Sequence, residues 1–155
     1  MDDGTIEAKL AALGLELPPE CPPRASFVKY RLWNGLLVLS GQICEWCGEP
    51  RWLGPVTEET SVEEMQKAAQ MCALNLLFCA REALGSLDRV DQVLRLGGFV
   101  NAEPGYGRGP AIIDGASNLF IDIFGERGRH ARTAVCVSSL PVNAAVEVDA
   151  LIAVS

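Results

Sequence analysis

The chain has 155 residues, enough for one domain with a full core. Its net charge of −7, from 13 basic against 20 acidic side chains, excludes broad nucleic-acid binding, which relies on Lys and Arg displacing phosphate counterions. Hydrophobic residues make up 49% of it and mean hydropathy is +0.19, so either the core is large or other subunits cover part of the surface; no apolar run has the length of a membrane span.

The opening Met1-Asp2-Asp3-Gly4 is acidic and lacks the basic start of a secretion signal. A cytoplasmic location is expected, and the six cysteines read as free thiols rather than a disulfide framework. Thr5 to Leu13 carries Ile6, Leu10 and Leu13 at helical spacing, with Gly14 to end the helix. The prolines of Leu17-Pro18-Pro19-Glu20-Cys21-Pro22-Pro23 disfavour helix and make an extended connector. Residues 1–26 therefore read as a helix and proline-rich arm laid across a domain of residues 27–155. Phe27 to Leu32 and Leu36 to Ser40 are β-rich, and Trp33-Asn34-Gly35 between them favours a tight hairpin turn.

Gly41 to about Thr60 reads as a loop holding Cys44-Glu45-Trp46-Cys47. One C-x-x-C pair cannot complete a four-ligand zinc site, and this one lacks the strand-to-helix setting of a redox motif. Ser61 to Leu84 is the clearest helix: Ser61-x-x-Glu64 has the form of a capping box and Gly85 of a stop. Val62, Met65, Ala69, Cys72, Leu76, Cys79 and Ala83 share one stripe, and the apolar run from Ala73 to Ala80 predicts a second half covered nearly all round. Val90 to Val100 predicts a strand through Gly97-Gly98. Asn101 to Pro110 is a loop whose glycines lack the lysine and context of a phosphate loop, and it reads as a flexible rim. Asp114 is expected to cap a second helix carrying Leu119, Phe120, Ile123 and Phe124 and ended by Gly125. Arg132 to Ser138 and Ala144 to Val154 are the last two strands.

This order predicts an α+β domain with one mixed β-sheet and two helices packed on one face. In the last strand Val146, Val148, Ala150, Ile152 and Val154 make one apolar face, yet Leu151 and Ala153 lie on the other. A sheet apolar on both sides, with helices for only one, implies sheets packed together in a ring-like oligomer.

Two charges stand out because they sit in otherwise apolar strands. Arg132 offers a planar fork that matches a carboxylate in two parallel hydrogen bonds, with small Ala134 and Cys136 on its face. The alternative is a structural salt bridge, with Glu147 as one candidate partner. Glu147 lies between Val146 and Val148, where partial withdrawal from water raises a carboxyl pKa toward that of a general base or acid; the alternative is pairing across a subunit boundary. A tight hairpin around Pro141-Val142 would set the two about 13 Å apart, unless the strands are not neighbours at all. Gly41, within Ser40-Gly41-Gln42, permits close backbone approach to a small polar group. His130, just before Ala131-Arg132, is either a surface histidine or an acid–base group at the same mouth. No metal site is expected.

Gly35; Ser40-Gly41-Gln42; Leu84-Gly85-Ser86-Leu87-Asp88-Arg89-Val90; Phe99-Val100; and Arg132 through Leu140-Pro141 to Val146-Glu147-Val148 together resemble the YjgF/Rid family, the reactive intermediate deaminases once called endoribonuclease L-PSP. The likeness runs from Phe27 to the C-terminus. The N-terminal arm and the stretches Gly97 to Ala102 and Ile113 to Ser117 resemble a divergent branch. The resemblance implies a chorismate-mutase-like fold and a homotrimer whose sheets form a central barrel with three inter-subunit clefts. It implies that Arg132 holds the carboxylate of a 2-imino acid and that Glu147 positions or activates the water attacking the imine carbon. Gly41 and Ser40 would line the same place; the products would be a 2-oxo acid and ammonia, with no cofactor. Phe27 stands where the family usually has tyrosine and Ala134 where it often has cysteine; the polar residue of the second helix is Ser117 or Asn118. The alternatives are a non-catalytic regulatory protein binding a small carboxylate and, from the old family name, a ribonuclease, against which the acidic balance and the single histidine count.

Overall fold

In the computed structural model, which describes residues 5–155, the first helix, α1 (Thr5–Ala12), buries Ile6 and Leu10. Its first two N–H groups donate to the Asp88 carboxylate, at 2.9 and 3.0 Å, which satisfies orphan helix donors and docks the element. An extended arm then leads to β1 (Tyr30–Trp33) and β2 (Leu36–Ile43). The hairpin turn falls as expected: Asn34 and Gly35 have φ of 49° and 74°. Two expected limits move. Phe27 precedes β1 rather than opening it, and β2 runs past Ser40 to Ile43. The following loop contains a small ribbon, β3 (Glu45–Trp46) and β4 (Glu49–Pro50), turned at Cys47-Gly48.

The long helix α2 spans Val62–Leu84. Ser61 Oγ accepts the Glu64 N–H, and Gly85 ends the helix in the left-handed region. The capping box is only half made, because the Glu64 carboxylate turns to Trp52 Nε1 and Lys67. Leu74, Asn75, Leu76, Leu77, Cys79 and Ala80 are all buried, so the second half is covered as its composition predicts.

Strand β5 (Val90–Asn101) is followed by α3 (Gly109–Phe124), β6 (Ala131–Val137) and β7 (Val146–Val154). Asp114 does not cap α3. The helix starts at Gly109 with Pro110 in its first turn, where a fixed φ and a missing N–H cost nothing. Asp114 lies within the helix body and faces the sheet edge. The glycine-rich loop before α3 is fastened rather than loose: Tyr106 is buried, and Arg108 donates to the Glu58 carbonyl and carboxylate.

The chain forms one five-stranded mixed sheet in the order β1-β2-β7-β5-β6. All neighbours are antiparallel except β5 and β6, which run parallel. The last two strands are therefore not a hairpin; β5 lies between them. Helices α2 and α3 pack side by side against one face. On the other face Leu36, Val38, Leu94 and Val135 remain 37–49% exposed. Among the described residues no helix is long and apolar enough to cross a membrane.

Two glycines set how closely the helical layer sits. Gly98 leaves room on the sheet for Ile113, and Gly115 lets α3 touch the backbone carbonyl of Gln66 on α2. The Gln66 amide also donates to the Ala111 carbonyl across that contact, at 2.9 Å. A methyl at position 115 would meet backbone, which cannot swing aside. Gly115→Ala should therefore destabilise the fold by about 1–3 kcal/mol, read as a lowered urea midpoint with an unchanged slope.

Candidate functional site: two halves on opposite faces of the sheet

The first half is built on the pairing of β2 with β7. Leu39 lies opposite Ala150 and Gln42 opposite Val148, so Ser40 and Gly41 together face only Asp149. That is a β-bulge, a device that re-aims side chains and backbone beside active sites. It brings the Gly41 backbone against Glu147: a Cβ on residue 41 would stand 2.7 Å from Glu147 Oε2. Any larger residue there would push the Glu147 carboxylate out of its present position. The Ser40 hydroxyl donates to the Val28 carbonyl at 2.6 Å and pins the chain entering β1.

A cavity of about 640 Å³ opens beside this bulge, lined by Phe27, Ser40, Gly41, Gln42, Glu45 and Glu147 among others. Burial pushes the Glu147 carboxyl above its usual value, and the nearby Asp149 charge adds to the shift. No hydrogen bond to the Glu147 carboxylate is made by the described residues. It is a half-buried carboxylate without a partner, aimed at open space.

The second half is built on β6. Arg132 pairs with Leu96 of β5, on the face covered by α3. Its Nη1 donates to Asp114 Oδ1 at 2.7 Å and to Ser117 Oγ at 3.1 Å, and its Nη2 donates to the Pro110 carbonyl at 3.2 Å. Nε has no partner among the described residues. The salt bridge weighed for Arg132 exists, but with Asp114 and not with Glu147. Ser117 is the polar residue of the second helix that meets Arg132; Asn118 lies in a groove between α2 and α3.

His130 supports this half from behind. Its Nδ1 lies 2.6 Å from the Gly128 carbonyl, which can only accept, so Nδ1 carries the proton. Nε2 then accepts the Ser117 hydroxyl proton at 2.9 Å. Ser117 Oγ is left to accept from Arg132. Burial lowers the His130 pKa and the Arg132 charge lowers it further, against the Gly128 hydrogen bond. The residue is a neutral positioning group rather than a free acid at the mouth. Ala134 lies opposite Gly98 on the same helix-side face as Arg132.

Within one chain the structure brings together Glu147, Gly41, Ser40 and Phe27, and separately Arg132 and Ala134. Glu147 is opposite Phe99 and Arg132 opposite Leu96. Two strand spacings and three residues of β5 put their Cα atoms about 14 Å apart, with the side chains on opposite faces. Cys44 and Cys47 do not act together: Cys44 is buried and its Sγ donates to the Trp52 carbonyl at 3.3 Å, while Cys47 occupies the turn of the small ribbon. Among the described residues no group of three or more His, Cys, Asp or Glu could hold a metal ion. Asp114 as a partner of Arg132, and Arg24 and Glu45 at the cavity, carry no local sequence signal; Ser117 was one of two residues the family pattern offered on the second helix.

The fold belongs to a known class. Residues 7–153 match the family described as "YjgF/chorismate mutase-like, putative endoribonuclease", and the chain belongs to that family. It is 41% identical over 150 residues to Protein TCP17 of Trypanosoma cruzi, covering 96% of this chain and 94% of that one. The crystal structure of Atu1372 from Agrobacterium tumefaciens superposes with a TM-score of 0.91 at 38% identity, covering 99% of this chain and 94% of the other. An endoribonuclease-like protein from Shewanella oneidensis MR-1 gives 0.92 at 31% identity, covering 97% and 100%.

The raised Glu147 pKa has a stability consequence. Between its unfolded and folded values the folded chain binds more protons, so stability falls as pH rises through that window. Glu147→Gln removes the charged form. It should raise Tm above about pH 7 and leave Tm nearly unchanged below about pH 4, where both states hold the proton. Scanning calorimetry across pH reads this directly.

Proposed function

We propose that the protein hydrolyses small 2-imino acids to 2-oxo acids and ammonia, at sites completed between copies of the chain in a homotrimer. The observation that carries this is the unpartnered, desolvated Glu147 carboxylate facing a cavity against the Gly41 bulge. A carboxyl with a raised pKa is a stronger base, suited to taking a proton from water near neutral pH. The hydroxide so formed attacks C2 of an iminium substrate to give a carbinolamine. Protonation of nitrogen and loss of ammonia leave the oxo acid: R–C(=NH₂⁺)–COO⁻ plus water gives R–CO–COO⁻ plus NH₄⁺. The substrate carboxylate needs a cation, and Arg132 supplies a fork held in place by Asp114 and Ser117. Its own Glu147 lies on the far face, so the Arg132 serving a given cavity belongs to a second copy. The exposed apolar residues on the open sheet face support such packing.

The acceptor-only chemistry of Glu147 and the donor-only chemistry of Arg132 give separable effects. Arg132→Ala should cut kcat/KM for freshly generated 2-iminobutyrate by at least about a hundredfold, the scale of a lost charged hydrogen-bond pair. Glu147→Gln should lower kcat and abolish the acid limb of the pH profile, which in the wild type lies above the ordinary carboxylate range. Ammonia and oxo-acid release measure both. Wild-type activity unaffected by either substitution would refute the assignment.

A second reading is favoured by one observation. Arg132 already spends Nη1 and Nη2 on Asp114, Ser117 and Pro110, and neither Phe27 nor Ala134 supplies a polar group. A non-catalytic protein binding a small carboxylate would need no more than this. It predicts that 2-oxo acids raise Tm through Arg132 while no imine is turned over. The ribonuclease reading gains nothing from the site, whose one histidine is engaged by Ser117 and Gly128.

A further inference from the structure

We infer that Arg24, carried by the N-terminal arm, is a specificity-determining residue of the Glu147 cavity, and that it selects ligands bearing a second oxygen acceptor distal to the 2-oxo or 2-imino acid. This rests on the proposed reading of that cavity as the site of carboxylate chemistry, and names the substrate class it takes.

The arm forms one wall of the cavity through Pro22, Pro23, Arg24 and Ala25. It is fastened at two points. Cys21 Sγ donates to Gln42 Oε1 at 2.9 Å. Arg24 donates from Nε, at 2.9 Å, and from Nη2 to Glu45 Oε2, and from Nη2 to the Gly48 carbonyl at 2.6 Å. The Glu45 side chain is 5% exposed and that of Arg24 is 38%. The guanidinium is therefore held rigidly by a buried carboxylate while part of it stays accessible. Its Nη1, with two N–H donors, has no hydrogen-bond partner among the described residues.

Position fits a single small ligand. Ile43 pairs with Glu147 across the β2–β7 ladder. Glu45 is two residues further, about 7 Å along the chain, and Arg24 is bonded to it. A five-carbon chain with C2 at Glu147 reaches that distance. A side chain ending in carbon would strip water from the Nη1 donors and return nothing. One ending in carboxylate or amide oxygen would satisfy them. A site built around a donor rejects the analogue lacking the acceptor far more strongly than an apolar pocket rejects an extra group. Because Glu45 already balances the Arg24 charge, a neutral amide should be accepted as well as a carboxylate.

The test measures calorimetric binding of 2-oxoglutarate, 2-oxoglutaramate and the apolar isostere 5-methyl-2-oxohexanoate to the full-length protein. The first two should bind at least about tenfold tighter than the third, as expected for a hydrogen bond to a charged donor. Arg24→Met should bring the ratio close to one, and Arg24→Lys should restore part of it. Since Arg24→Met leaves Glu45 buried and unpaired, the double variant Arg24→Met/Glu45→Gln serves as the control that keeps the fold. A wild type without preference, or a preference that survives both Met variants, overturns the inference. If Arg132→Ala abolishes binding of all three while no preference exists, the cavity reading stands and the Arg24 role falls. If the preference depends on Arg24 but binding ignores Arg132, the reverse holds. No binding of any oxo acid to the wild type sinks both.

Discussion

The site depends on where β5 runs. By pairing parallel to β6 and antiparallel to β7, it holds the two charged strands apart and turns Arg132 and Glu147 to opposite faces of one sheet. No side-chain rotation can bring them together through a packed sheet. Each charge is then stabilised by its own surroundings. Arg132 rests on α3, where Asp114 and Ser117 fix its fork. Glu147 rests against the bulge, where the missing side chain of Gly41 leaves room for its carboxylate. On the proposed reading neither half is a complete site, and each would be completed by the other half from a second copy.

The two halves are tuned differently. Arg132 is over-supported: three acceptors hold it, and His130 orients one of them. That rigidity suits the carboxylate-positioning role proposed for it. Glu147 is under-supported. Its carboxylate receives no hydrogen bond from the described residues, and its environment disfavours the charged form, a stability cost that the proposed role as a base would explain. The contrast between a satisfied cation and an unsatisfied carboxylate is easier to understand as division of labour than as packing.

Much of the fold was legible in the sequence. Ser61 and Gly85 bracketed α2, Asn34-Gly35 marked the hairpin, and the alternation in β7 identified its buried face. What failed was tertiary. Asp114 resembles a helix cap, yet α3 opens earlier because Pro110 needs none. Ser40-Gly41-Gln42 resembles a strand end, yet β2 continues, because a bulge costs only one unpaired residue. The flexible rim expected around Tyr106 is fastened from below by the buried Tyr106 ring. Arg132 and Glu147 were recognisable as charges out of place and from the family pattern. Their placement on opposite faces was not, since it follows from strand order, which pairs residues far apart in the chain. Arg24 was invisible for the same reason: an arginine in a proline-rich arm acquires meaning only when the arm is seen against the cavity.

The central claim is that a working site draws Arg132 and Glu147 from different copies. Subunit complementation tests it most directly. Arg132→Ala and Glu147→Gln chains are each prepared, shown to be inactive, then unfolded together, refolded as a mixture and assayed for imine hydrolysis. If sites lie between neighbours in a ring, random mixing leaves up to about one quarter of them with both native residues, and activity returns in that proportion. A mixture as inactive as its components would show that both residues must come from one chain, and would contradict the account.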